Sequence, residues 1–163
     1  MRKRFSYKSA NGRGGFTIVE ISLVLIIATI LIIAGIFAYK KILPSVQASS
    51  EFKKVNAVIS GIERSKNTNG GLYIAATDSI NNIPTLKNEL GGDQGISDVK
   101  NWQYECTEGD DVTLKVTTDK INSDTVANLV AEKVNKNLKP WTAAVTADNQ
   151  IELTLSPVDC RAP

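Results

Sequence analysis

The stretch FTIVEISLVLIIATILIIAGIFAY, Phe16 to Tyr39, decides how the rest of the chain is read. Its 24 residues carry one charge, Glu20. Ile21 to Tyr39 is 19 uncharged residues, enough for a helix to cross the roughly 30 Å apolar core of a bilayer. A secretory signal has a shorter apolar core, roughly 7 to 15 residues, followed by a small-residue cleavage site. No A-x-A site follows here, and the run ends at Lys40-Lys41, whose long side chains reach the membrane interface.

Upstream, Met1 to Gly15 holds Arg2, Lys3, Arg4, Lys8 and Arg13 with no acid, a charge of +5. Asn11, Gly12, Gly14 and Gly15 break regular structure, so no stable fold is expected there. Basic residues beside an apolar span keep their side in the cytoplasm. The remaining 148 residues hold 14 basic and 17 acidic side chains, net −3. A chain basic only at its N-terminus is not a general nucleic-acid binder.

Downstream the helical pattern continues. Phe52, Val55, Val58, Ile59 and Ile62 recur every three or four residues, and Glu51, Lys53, Lys54, Ser60 and Arg64 lie opposite. That is an amphipathic helix with one buried stripe. One helix is expected from about Phe16 to about Lys66, bent at Pro44 and stopped at Asn67-Thr68-Asn69-Gly70-Gly71.

Residues 68–105 read as a loop-rich connection, punctuated by Pro84, Gly91-Gly92 and Gly95. Val112, Leu114 and Val116 then alternate with Thr113, Lys115 and Thr117, a half-buried strand. Ser123 to Leu138 reads as a helix with Val126, Leu129, Val130, Val134 and Leu138 on its apolar face, capped by Ser123 or Asp124. Trp141–Thr146 and Ile151–Leu155 read as strands joined by Ala147-Asp148-Asn149. The expected class is α+β: a long N-terminal helix packed on a small antiparallel sheet. The expected parts are a basic leader (1–15), an apolar helix (16–41), an amphipathic helix (42–67) and a globular head (68–163).

Catalysis has little support. The chain of 163 residues has no histidine and two cysteines. That removes the commonest general base, the serine triad and nearly all zinc sites, and a four-cysteine cluster within one chain. There is no GxxxxGK[ST] and no GxGxxG after a strand. No catalytic, cofactor-binding or metal-binding residue and no small-molecule substrate is expected. Glu108, Asp110 and Asp111 lack the spacing of a calcium loop and read as an exposed acidic turn. Trp102, Tyr104 and Trp141 read as core, with a surface adhesive patch as the alternative.

The junction Gly14-Gly15-Phe16-Thr17-Ile18-Val19-Glu20 joins a basic leader, a glycine and an apolar helix whose fifth residue is a carboxylate. It resembles the class III signal of type IV prepilins, G|FTxxE followed by an unbroken apolar stretch. The close match covers about 30 residues; the layout is similar over the whole chain. The resemblance implies cleavage after Gly15 by a prepilin peptidase and methylation of the new amine of Phe16. It implies residence in the inner membrane with the N-terminus in the cytoplasm. Pilus assembly machinery would then extract the subunits into an extracellular homopolymer, with helices from Phe16 onward in its core. It also implies that Glu20 meets the Phe16 amine of a neighbouring subunit. A carboxylate within an apolar core costs roughly 2.5 to 3.5 kcal/mol unless paired, so that contact would neutralise both charges and set register. The alternative is a tolerated charge near the end of an ordinary anchor. Thr17 and Ser22 can bond locally to helix carbonyls.

Cys106 and Cys160 lie 54 positions apart. In an exported domain an even count suggests a disulfide, worth about 4 kcal/mol for a loop of that length in the chain-entropy account. Two buried free thiols are the alternative; a redox pair lacks C-x-x-C. Phe16 as first mature residue resembles a-type pilins. The 15-residue leader, the apolar run without a central proline and the helix between the cysteines resemble the b-type, toward which the reading leans. Three other roles carry different expectations. A secretion pseudopilin shares the signal but often uses calcium in place of the disulfide. A minor pilin often departs at the glutamate. A single-pass anchored binding domain predicts no cleavage at Gly15 and no polymer. Adhesion, motility, DNA uptake and conjugation are all compatible with such a filament.

Overall fold

A computed structural model of the chain describes residues 16–92, 98–99 and 101–162. The expected leader, with Gly15, lies outside them. The chain divides at Lys40–Lys41 into two compact units.

The first described element is α1, Ile18–Thr68, a helix of 51 residues that runs through Pro44. The portion in the first unit is exposed almost throughout, with only Ala28 half-buried. In the second unit α1 buries Ala48, Val55, Val58, Ile59 and Ile62, all at 6% exposure or less. The stripe read from the sequence is thus the one that enters the core, with Phe52 half-buried at its margin. Gly70 and Gly71 end the helix at φ 69° and 88°, a left-handed backbone that side chains with a Cβ resist.

The head is α+β. After α1 come β1 (Tyr73–Ile74), β2 (Ala76–Ser79), a 3₁₀ turn (Ile80–Asn82), α2 (Pro84–Glu89) and β3 (Gln103–Cys106). Then follow β4 (Gly109–Thr117), α3 (Asp124–Asn137), β5 (Thr142–Val145) and β6 (Ile151–Arg161). The strands form one sheet in the order β1-β6-β4-β3-β2, with β5 also paired to β6. Every pairing is antiparallel except β1 with β6. The β6 strand organises the sheet. One of its edges meets β4, with Leu155 opposite Leu114 and Cys160 opposite Gly109. Its other edge meets β5 early, at Ile151 to Thr154, and β1 late, at Cys160 and Arg161.

One core joins the sheet to both long helices. Leu114, Val116, Ile151 and Leu153 are wholly buried with Val58 of α1 and Val130 and Val134 of α3. The Lys133 ammonium of α3 donates to Ser49 Oγ of α1 at 2.8 Å.

Residues 68–105 depart from the loop-rich expectation. Pro84, whose residue type limits regular structure, sits in the first turn of α2, where a missing N–H costs nothing and the fixed φ suits the helix. Strands β1 and β2 are too short for a period to show, and β3 alternates exposed Gln103 and Glu105 with buried Tyr104 and Cys106 over only four residues. Strand β6 runs six residues beyond the expected Leu155, through Pro157. Register shifts between Gly109 and Leu114 on the partner strand accommodate it. Burial also changes phase there, from Ile151, Leu153 and Leu155 to Val158 and Cys160, as an irregularity in the ladder requires. Asp110 and Asp111 are exposed, as expected, but lie within β4 rather than in a turn.

Candidate functional site

Two places carry the residues singled out by the sequence: the start of α1 and the closure of the head.

Helix α1 begins with a reciprocal cap. The Glu20 N–H donates to Thr17 Oγ1 at 3.2 Å, and the Thr17 N–H donates to Glu20 Oε2 at 3.4 Å. This is the S/T-x-x-E capping box, which satisfies two orphan N–H groups at a helix start. Glu20 also sits in the first turn, where a negative charge is favoured by the helix dipole. The carboxylate therefore has a local role that the sequence reading missed, although Thr17-Ile18-Val19-Glu20 is its signature. Thr17 caps instead of bonding a carbonyl. The Ser22 hydroxyl donates to Ile18 O at 2.7 Å and the Thr29 hydroxyl to Leu25 O at 2.8 Å, so neither leaves a donor facing the surroundings.

The rest of this segment is apolar surface. Phe16 is 77% exposed and Phe37 is 70%. None of the most apolar 18-residue window is buried among the described residues. By length and composition the helix is able to cross a membrane. An exposed apolar surface of this extent marks a membrane or protein contact.

In the head, Cys106 of β3 and Cys160 of β6 form a disulfide with Cα atoms 6.2 Å apart. This places the bond in the sheet, two residues after buried Tyr104 and two after buried Val158. Cys160 also faces Tyr73 and Gly109 across its two strand neighbours. The bond thus holds the C-terminal strand where three strands converge.

A polar cluster secures the end of α1 to the head. Tyr73 Oη donates to Glu63 Oε1 at 3.0 Å, and Trp141 Nε1 donates to the same oxygen at 3.3 Å. The Lys66 ammonium lies 4.5 Å from the Tyr73 ring centroid. Burial and then the Glu63 carboxylate push the Tyr73 hydroxyl pKa well above the ordinary tyrosine value. Tyr104 Oη donates to Ile74 O at 2.8 Å; burial, then the neighbouring Tyr73, raises its pKa too. The three aromatics read as core are core: Trp102, Tyr104 and Trp141 are 3%, 1% and 3% exposed. They are not available as an adhesive patch.

The acidic segment beside the disulfide is tied down by protein groups. Arg161 pairs with Asp110 at 3.1 Å, and the Asp111 N–H donates to Asp159 Oδ1 at 3.1 Å. Among the described residues no group of three or more histidine, cysteine or carboxylate side chains is placed to hold a metal ion. A cavity of about 280 Å³ lies between α1 and the start of α3. Its walls mix Glu51, Lys54, Asp119 and Lys120 with Val55 and Trp102, and no reactive constellation faces it. No family model, curated protein or solved structure matches the chain.

Proposed function

We propose that this chain is the structural subunit of a type IV pilus. A prepilin peptidase cuts after Gly15, the new Phe16 amine is methylated, and subunits polymerise through α1 into an extracellular filament. Before assembly the precursor lies in the inner membrane with its basic leader in the cytoplasm. One observation carries the reading. Among the described residues, the start of α1 presents an exposed apolar surface, opened by a single carboxylate five residues after a glycine. A lipid bilayer covers that surface in the precursor, and neighbouring helices cover it in the filament. The disulfide supports a pilus subunit over a secretion pseudopilin, and the retained Glu20 supports a bulk over a minor subunit.

Glu20 has two roles on this reading. It caps its own helix before cleavage, and its free lone pairs accept the Phe16 amine of a neighbour after assembly. The capping box also favours a second reading, a single-pass anchored binding domain, because it gives Glu20 a purpose that needs no neighbour. The intact mass of the chain, from cells with and without an active prepilin peptidase, separates the two. Peptidase-dependent loss of residues 1–15 with a methylated Phe16 is expected. An intact leader in cells with active peptidase overturns the pilus reading.

A further inference from the structure

The edge of β6 that meets β5 and β1 is interrupted. Strand β5 pairs with it as far as Thr154, and β1 takes it up again at Cys160. Between them, residues 155–159 have no strand partner on that side among the described residues. Their other side is engaged, with Leu155 across from Leu114 and Val158 across from Val112 on β4. An unpaired strand edge presents backbone N–H and C=O groups to which an added segment can bond. Pro157 lies in this stretch and withholds only its own donor.

A cleft of about 330 Å³ opens at the same place. Pro140, just before β5, and Gly71, just before β1, form part of its walls. Ligand clefts run from roughly 300 to 1,000 Å³, so this one takes a few residues of extended chain and no more. Its apolar lining is Tyr73, Leu155 and Val158, which the head already buries. Its charges are Lys66, Asp111 and Asp159. The Lys66 ammonium is engaged, donating to Tyr73 Oη at 3.4 Å and lying over that ring. Asp111 and Asp159 are exposed, and neither has an ion-pair partner among the described residues. Asp159 accepts the Asp111 N–H through one oxygen, which leaves both carboxylates able to receive a cation.

We propose that this interruption is a docking site for a short extended segment of a partner protein, carrying an arginine or lysine between two aliphatic residues. Its backbone pairs with β6 in the space between β5 and β1. Successive side chains of a strand point to opposite faces, and Asp159 is exposed between buried Val158 and Cys160. The basic side chain therefore goes out to Asp111 and Asp159, while its two neighbours turn in toward Leu155 and Val158. The site lies wholly in the head, so it stands or falls apart from the pilus reading.

The test uses the isotope-labelled full chain in phosphatidylcholine nanodiscs, titrated with the capped peptide acetyl-Thr-Val-Arg-Val-Thr-amide and followed by amide NMR shifts. Saturable shifts should centre on Ser156, Val158 and Asp159. Glutamate in place of the peptide's arginine should weaken binding by about tenfold, as should Asp111→Asn with Asp159→Asn, because a charge-assisted contact is lost. Asparagine keeps the acceptor for the Asp111 N–H, so the unfolding midpoint of that variant should be unchanged. Three results overturn the proposal: no saturable shift at these residues, equal binding of the arginine and glutamate peptides, or equal binding by the asparagine variant. N-acetylarginine amide binding as tightly as the peptide also overturns it, since the cleft would then hold a lone cation and not a strand.

Discussion

The two halves of α1 have the same backbone and opposite surroundings. Before Lys41 its side chains are large, apolar and exposed, as at Leu31 and Ile32, 66% and 64% exposed. After Ala48 they are sorted by face, with Val58 fully buried and Lys53 exposed. Among the described residues the first half is exposed almost throughout, so on the proposed reading its residues act through what covers it. The second half is part of the head's core, so its residues act through folding. Changes in the first half should alter assembly or membrane residence and leave head stability untouched. Changes in the second half should do the reverse.

The largest effect is expected at the leader. Gly15→Asp should block cleavage and remove filaments altogether, while the disulfide-closed head remains resistant to protease. Mass spectrometry of membranes and shearing of cells check it. Unfolded heads in that variant would break the separation between the halves.

Next is the disulfide. Replacing Cys106 and Cys160 together by serine should destabilise the head by about 4 kcal/mol, as expected for a loop of this length in the chain-entropy account. Denaturant unfolding measures it. A loss of filaments is then secondary to a loss of folded head.

The sharpest comparison is a matched pair on one helix. Ile62→Ala removes a side chain that is 1% exposed and should cost about 2 to 5 kcal/mol of head stability. Ile32→Ala should leave the head's unfolding midpoint unchanged. Equal shifts from both would dissolve the distinction.

The smallest effect is at Tyr104. Its raised pKa means that the fold holds the neutral hydroxyl, which donates to Ile74 O. Stability is therefore full below the ordinary tyrosine value near 10 and falls as pH rises above it, because the unfolded chain ionises first. Tyr73 acts in the same direction. Tyr104→Phe should cost about 1 kcal/mol near neutral pH and flatten the alkaline decline. Unfolding followed from pH 7 to above 10 is the measurement.

The sequence made α1 legible because its signals are long. A run of 19 uncharged residues followed by a three-four stripe leaves few alternatives. The short elements between Tyr73 and Cys106 were hidden. Two-residue β1 has no period, and four-residue β2 holds Asp78, a residue disfavoured in strands. The far half of β6 was hidden by Pro157, which ends most strands and is tolerated here beside an irregular ladder. At the candidate site, Glu20 was legible as a charge in an apolar helix, and its cap was not recognised although Thr17 stands three residues before it. The Glu63 cluster was not legible, because Tyr73 and Trp141 reach one carboxylate from positions far apart in the chain.

Electron cryo-microscopy of material sheared from cells tests the central claim most directly. The account predicts filaments whose axis is lined by helices beginning at Phe16, with residues 16–41 in contact with other copies and the disulfide-closed heads outside. Cells that make the processed chain but shed no such filament, with α1 remaining in lipid, would contradict it.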